Sequence, residues 1–378
     1  MVNTAYPTQA FDTPHALLQG FIDLLSEEFE NPHQHHGTVI CIMPELDDIV
    51  LEATITDMLD MQVKDRAAVD LNQADARLTM PLATVERIFQ DFATVDWRDP
   101  EIIGTVEMAG DMALVERLAR SAERPTDWTL DRFADAEELH RDQGYRELSS
   151  IDTLYRPSQA TVLDYIDAGR PAIIQGLGQE IFEQPWTLER LEALYGDAVV
   201  RVRSATDHVT MRQFCAELRA FMAANDKSFD RGLDIPYTEG AALPPEMHAQ
   251  LGPLFFDKTE LTIPQLWFGA VPTHEPTSSV HRDPHAGFLF QVIGRKRLEL
   301  YSADQASMLY PRKAYNLYQP CWHTPNAPDF DRFPRARGLR KVTAVIEPGD
   351  LILQPAGWFH EVYALDSPNM SVSYFWAY

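Results

Sequence analysis

From Thr262 to the C-terminus, turn residues cut the sequence into short apolar runs, and this rhythm restricts the fold more than any other feature. The runs are Gln265–Val271, Phe288–Ile293, Arg297–Ser302, Lys341–Ile346, Leu351–Gln354, Glu361–Leu365 and Ser371–Trp376. Each has the length of a strand and is too short for a stable helix. Gly294 turns one pair of runs into a hairpin, and Glu347-Pro348-Gly349-Asp350 is the clearest turn between two others. Many short strands at close intervals must close on themselves or stack face to face, since open edges are aggregation-prone. The expected architecture is a mainly β double-stranded β-helix, or jelly roll, with flanking helices.

The chain before it reads differently. His15 to Glu30 places Leu17, Leu18, Phe21, Leu24, Leu25 and Phe29 at helical spacing. Strand-like runs follow at Thr38–Met43, Asp48–Thr54 and Arg77–Met80. Pro81 opens a helix faced by Val85, Ile88, Phe89 and Phe92. Ile102–Met108 reads as a further strand, and Asp111 caps a closing helix with Met112, Leu114, Val115 and Leu118 on its apolar face. The expected division is an α+β domain over 1–124, a connecting region of short helical pieces over 125–158, and the jelly roll with its helices over 159–378.

A net charge of −25 over 378 residues argues against nucleic acid or an anionic membrane surface as the main partner. Three scattered cysteines with no C-x-x-C make a structural zinc site unexpected and fit a reducing cytoplasm. The first residues show no basic segment followed by an apolar run, and no apolar run has the length of a membrane span.

His281 and Asp283 stand two apart, so on a strand both side chains share a face. His360 follows 79 residues after His281 and must come from a neighbouring strand. Two histidines and one carboxylate form the donor set of a non-haem Fe(II) facial triad. Taken alone, an H-x-D pair reads better as surface or core histidines with Asp283 a turn residue.

The surrounding motifs add weight. RPAIIQGL, PWTLERLEALYGD, LWFG, HRD, QVIGRKRLELY, IEPGDLILQPAGWFH and SVSYFW occur in this order between Arg170 and Trp376. Together they resemble the JmjC/cupin-8 group of Fe(II)- and 2-oxoglutarate-dependent oxygenases. The resemblance implies that His281, Asp283 and His360 bind Fe(II). It also implies that Lys296, fifteen residues after His281, pairs with the far carboxylate of 2-oxoglutarate, helped by Ser278 and Tyr237. A carboxylate at 283, where halogenating relatives have a small residue, implies hydroxylation. The implied reaction oxidises an unactivated C–H bond of a peptide or protein side chain, or of a small metabolite, and releases succinate and carbon dioxide. Two positions depart from the pattern: Gly287 stands where relatives often carry Asn near the metal, and Tyr374 lies near a second such Asn. Trp267 and Trp358 are expected to pack the barrel. The Pro- and aromatic-rich insertion Tyr310–Gly338 is expected to shape substrate specificity. A non-catalytic cupin-type binding or regulatory protein and a cupin dioxygenase independent of 2-oxoglutarate remain alternatives, and Lys296 weighs against both.

In the N-terminal part, ADARLTMPLATVERIFQDF and GTVEMAGDMALVERLAR resemble the sterol-carrier-protein-2-like fold. That implies either an apolar tunnel for a hydrophobic ligand or a docking platform that makes a homodimer.

Overall fold

The structure, a computed structural model, describes residues 13–27, 29–90, 96, 99–177, 179–225, 235–252, 260–271 and 274–376. The chain divides into two compact units: Met1–Arg124 with Val202–His208, and Pro125–Arg201 with Val209–Tyr378.

The first unit contains α1 (Pro14–Glu27), β1 (Gly37–Ile42), β2 (Ile49–Ile55), β3 (Leu59–Asp65), β4 (Ala76–Thr79), α2 (Leu82–Gln90), α3 (Pro100–Ile103), β5 (Glu107–Gly110) and α4 (Met112–Ser121). Its sheet runs β3-β2-β1-β4-β5, with β1 and β4 parallel and the other pairs antiparallel. Leu17, Phe21 and Leu25 of α1, Val85 and Ile88 of α2, and Leu114, Val115 and Leu118 of α4 pack on Val39, Cys41, Leu51, Ala53 and Leu78 of the sheet. This is the helical spacing meeting the strand spacing, one apolar face on each. Phe92 lies outside the described residues.

Two local readings need correction here. The strand expected at Ile102–Met108 is split into α3 and β5, because Asp99 accepts a hydrogen bond from the Glu101 amide (2.9 Å) and Pro100 occupies the first turn. The strand β3, on the sheet edge, was missed although Leu59, Met61 and Val63 alternate with polar residues as in a strand with one exposed face.

The second unit begins with α5 (Asp127–Gln143), β6 (Asp152–Tyr155), α6 (Gln159–Asp167), β7 (Ala172–Gln175) and α7 (Leu188–Tyr195). Next in the chain come β8 (Val199–Ser204) and β9 (Asp207–Thr210), of which Val202–His208 belong to the first unit, then α8 (Met211–Ala224), β10 (Ala241–Ala242) and α9 (His248–Leu251). The remaining elements are β11 (Gln265–Gly269), β12 (Ser278–Arg282), β13 (Gly287–Ile293), β14 (Lys296–Tyr301), α10 (Ala306–Leu309), β15 (Gln319–Pro320), β16 (Val342–Ile346), β17 (Leu351–Gln354), β18 (Phe359–Ala364) and β19 (Asn369–Phe375). A seven-stranded sheet, β10-β11-β19-β13-β17-β7-β6, faces a five-stranded one, β15-β12-β18-β14-β16. Their inner faces meet in one cluster. Leu289 and Ile352 come from the larger sheet, and Leu298, Leu300, Val342, Ala344, Ile346 and Val362 from the smaller. The alternate residues Phe288, Phe290, Leu351, Leu353, Val372 and Tyr374 point out of the larger sheet, toward Leu188, Leu191, Phe214 and Leu218 of α7 and α8. This is the expected double-stranded β-helix with flanking helices.

The segment 125–158, expected to be short helical pieces, instead contains the 17-residue helix α5. Its buried residues are Thr129, Phe133, Ala136 and His140, a narrow stripe of which two members are polar. A stripe so thin and so little apolar gives almost no helical periodicity in the sequence. The helix is nonetheless well specified. Thr126 caps its start through the Thr129 amide, and Gly144 ends it in the left-handed conformation (φ 67°).

Candidate metal centre

β18 lies between β12 and β14 in the smaller sheet, and its register places the site residues in rows. His281 pairs with His360, and Leu300 pairs with His360 from the other side. Paired residues share a face, so both histidines point inward with Leu300. Ser278 and Leu298 pair with Val362, and Lys296 pairs with Ala364. The inward rows therefore run from the two histidines, through Ser278, to Lys296. His360 and Ala364 are four strand residues apart, roughly 13 Å at the usual rise. A register shift between Ser278 and His281 keeps both residues inward despite their odd spacing.

Asp283 lies just past the end of β12. Its Oδ1 is 3.9 Å from His281 Nε2 and its Oδ2 is 3.6 Å from His360 Nε2, with the imidazole centroids 4.2 Å apart. One ligand atom from each of the three residues lies within 4.8 Å of the others. His281 Nδ1 donates to the Ser279 carbonyl (2.7 Å), and His360 Nδ1 donates to the Trp358 carbonyl (3.1 Å). These bonds fix the tautomer, so each Nε2 presents a lone pair to the space beside Asp283. Burial and the neighbouring His281 hold His360 well below the usual imidazole range, keeping it in the neutral form that coordinates metal. The residues present fit a divalent metal with open coordination positions.

Arg282, between the two proposed ligands, points the opposite way. Its guanidinium is buried between the rings of Phe133 (4.3 Å) and Phe359 (4.7 Å). It donates to Glu137 (2.9 Å) on α5 and to Gln319 (2.8 Å) on the edge strand β15. Nearby, the Gly357 amide donates to the Asp283 carbonyl (2.8 Å). Gly357 has φ 81°, and a Cβ there would sit 2.3 Å from the Ala136 Cβ of α5. His140 of α5 accepts from the Ala303 amide (2.8 Å) and packs on Trp358. Both sides of the loop that carries Asp283 are thus braced by a helix whose contribution the sequence hid. Glu137, Phe133 and Gln319 were missed, and the only signal was the spacing of Thr129, Phe133, Ala136 and His140.

Lys296 is buried, and among the described residues no carboxylate lies within ion-pair distance of it. Burial pulls its ammonium down to about 7. Arg295 and Arg297 face away, onto Asp366 and Tyr363. Tyr237 bridges to Gly269 and sits near Trp267, its ring centroid 6.5 Å away. Its hydroxyl is buried without a hydrogen bond of ordinary geometry, and Thr277, immediately before Ser278, is the side chain facing it. Trp267 lines the interior and donates to Ser373 (2.8 Å), and Trp358 donates to the Gly169 carbonyl (2.8 Å).

Tyr374 requires correction. It is fully buried on the outer face, stacked on Phe288 at 5.5 Å, away from the metal-facing interior. Strand alternation sends its neighbour Phe375 inward instead, and a Cβ on Gly287 would meet the Phe375 ring at 3.1 Å. The insertion Tyr310–Gly338 contributes β15, whose Pro320 pairs with His281, and Tyr318, 5.9 Å from the His281 ring.

A family profile described as "Cupin-like domain" matches residues 157–378. Among curated proteins, lysine-specific demethylase 8 of Danio rerio is 26% identical over 233 residues, which is 57% of this chain and 55% of the relative. The same-named protein of Xenopus tropicalis is 34% identical over 118 residues, 31% of this chain and 26% of the relative. HSPB1-associated protein 1 of Bos taurus is 26% identical over 232 residues, covering 54% and 47%. The chain spans about half the length of these relatives, or less.

Proposed function

The chain belongs to the cupin-like domain family, and from that premise we propose that it is an Fe(II)- and 2-oxoglutarate-dependent oxygenase that hydroxylates a C–H bond. One observation carries the reading. A His-Asp-His cluster with both Nε2 atoms turned to one carboxylate shares an inner face with a buried lysine that has no anionic partner among the described residues. An uncompensated lysine in an apolar interior is costly and makes sense as the receptor of an anion.

In this reading His281, Asp283 and His360 hold Fe(II), which when bound with 2-oxoglutarate supplies the oxidative chemistry. Lys296 receives the far carboxylate, and Ser278 and Tyr237 donate hydrogen bonds to it. The separation of the histidine row from the Lys296 row suits a short dicarboxylate with the lysine side chain reaching toward it. The Leu298, Leu300 and Val362 side chains keep the space between dry. The carbonyls of Ser279 and Trp358 hold the imidazole protons away from the metal.

The relatives' names, lysine-specific demethylases, support a protein or peptide side chain as the substrate class, with a small metabolite as the other candidate. Among the described residues no helix is long and apolar enough to cross a membrane. A cytoplasmic setting is supported by three free cysteines, Cys41, Cys215 and Cys321. We assign the N-terminal unit the role of a sterol-carrier-protein-2-like module that holds a hydrophobic ligand or docks a second copy.

The test is succinate release from 2-oxoglutarate with Fe(II), joined to calorimetric binding of 2-oxoglutarate to the Mn(II)-loaded protein. Wild type should bind and turn over. His281→Ala should lose metal, and Lys296→Ala should lose 2-oxoglutarate while keeping metal. A wild-type protein that binds metal but no 2-oxoglutarate would sink the proposal.

A further inference from the structure

Two buried glutamines, Gln291 and Gln354, stand on inward-facing strand positions of the larger sheet, and they differ in one respect. Gln291 is fully bonded: its Nε2 donates to Ile293 O (2.8 Å), Gly294 O (2.8 Å) and Asn369 Oδ1 (3.2 Å), and its Oε1 accepts from Ser371 (2.7 Å). Gln354 is also buried, at 9% exposure, yet its Oε1 is shut off from solvent without a partner. Among the described residues no hydrogen bond reaches either end of its carboxamide.

The register places it. Gln354 pairs with Gly287, in phase with the inward pair Leu289 and Ile352. Gly287 also pairs with Phe375. β13 starts at Gly287, four residues after Asp283, so this is the row of the larger sheet at the Asp283 end of the barrel. Of the row's three side chains, Gly287 has none, Phe375 is apolar, and Gln354 alone carries N–H groups. The imidazole Nδ1 protons are committed to backbone carbonyls, and Lys296 belongs to the opposite end. A buried carboxamide end left unbonded, here the one occupied by Oε1, costs stability, so its retention calls for a bound partner. A half-turn of its terminal torsion offers either the NH2 or the oxygen to that partner.

We infer that Gln354 donates a hydrogen bond to the carboxylate at the metal-bound end of the 2-oxo acid, from the strand opposite the side-chain-free Gly287. This deepens the reading given under Proposed function and rests on it.

The experiment measures 2-oxoglutarate binding to the Mn(II)-loaded full-length protein by calorimetry, for wild type, Gln354→Leu and Gln354→Glu. The visible charge-transfer absorption of the anaerobic Fe(II) chelate is recorded alongside. A charge-assisted hydrogen bond corresponds to a loss of roughly ten- to hundred-fold in affinity. Gln354→Leu should show that loss and a shifted absorption band, with a thermal midpoint of the ligand-free protein at or above wild type. Gln354→Glu, of equal size but anionic, should bind more weakly still. Metal affinity should be unchanged in both, which separates this role from loss of the fold. Wild-type affinity and an unshifted band in Gln354→Leu would overturn the inference while leaving the oxygenase reading intact. Absence of 2-oxoglutarate binding in wild type would instead remove the reading beneath it.

Discussion

If Lys296 is the receptor for a carboxylate, ligand binding must change its protonation in a measurable way. Burial lowers its pKa from the ordinary 10.5 to about 7, so in the ligand-free protein at pH 8 about a tenth of the molecules carry the charge. A bound carboxylate favours the ammonium, so 2-oxoglutarate should take up about 0.9 proton at pH 8 and about 0.1 at pH 6. The affinity should fall roughly tenfold per pH unit above 7, because the proton must be supplied with the ligand. The measurement is calorimetry of the Mn(II)-loaded protein in two buffers of different ionisation enthalpy, where the slope gives the protons taken up. The same shift sets a stability trend. Between pH 7 and 10.5 the unfolded chain holds the Lys296 proton and the folded chain does not, so this residue's penalty is greatest at and below pH 7 and fades as pH rises. A gap of that size corresponds to about 5 kcal/mol, so Lys296→Met should stabilise the ligand-free protein at neutral pH while abolishing 2-oxoglutarate binding. Equal proton uptake at pH 6 and pH 8, or uptake that persists in Lys296→Met, would refute the assignment.

Gly357→Ala should lower the unfolding free energy by about 1–3 kcal/mol by denaturant titration, since the new Cβ meets Ala136 at 2.3 Å in a left-handed backbone. It should also weaken metal binding by shifting the amide that holds the Asp283 carbonyl. His140 is buried and neutral, with its pKa lowered to about 3 by burial and then by Arg282. The unfolded chain binds its proton at a higher pH, so stability should fall as pH drops below 6.5, by up to about 2 kcal/mol at pH 5, and His140→Gln should flatten that part of the urea-midpoint profile. Glu137→Ala should cost roughly 2–4 kcal/mol by leaving the Arg282 guanidinium short of its carboxylate, whereas Glu137→Gln, which keeps an acceptor, should cost less. Thermal melts of the two variants decide it.

The jelly roll was legible because its strands are short, apolar and bounded by Gly and Pro, which is local information. The inward placement of His281, His360 and Lys296 followed from alternation, and the sheet register carries it. Ser278 was assigned without its register shift, which no sequence pattern marks. Tyr374 was misplaced by one residue, and on a strand one residue is the difference between the two faces. The helix α5 escaped notice because its buried stripe is held by Arg282, Asn316 and Ala303, all distant in sequence. Tertiary partners of that kind give no local periodicity. Gln354 looked like an ordinary strand end until its missing partners could be counted.

The family match begins at residue 157, whereas α5 ends at Gln143. What is shared between relatives and what must fold together are therefore not the same length of chain. A fragment trimmed to the matched segment would uncover Phe359, Trp358 and the Arg282 guanidinium at once, and should come out of expression insoluble or metal-free. One beginning at Pro125 should carry its own brace. Comparing the solubility and metal content of the two fragments asks where this folding unit starts as a physical object.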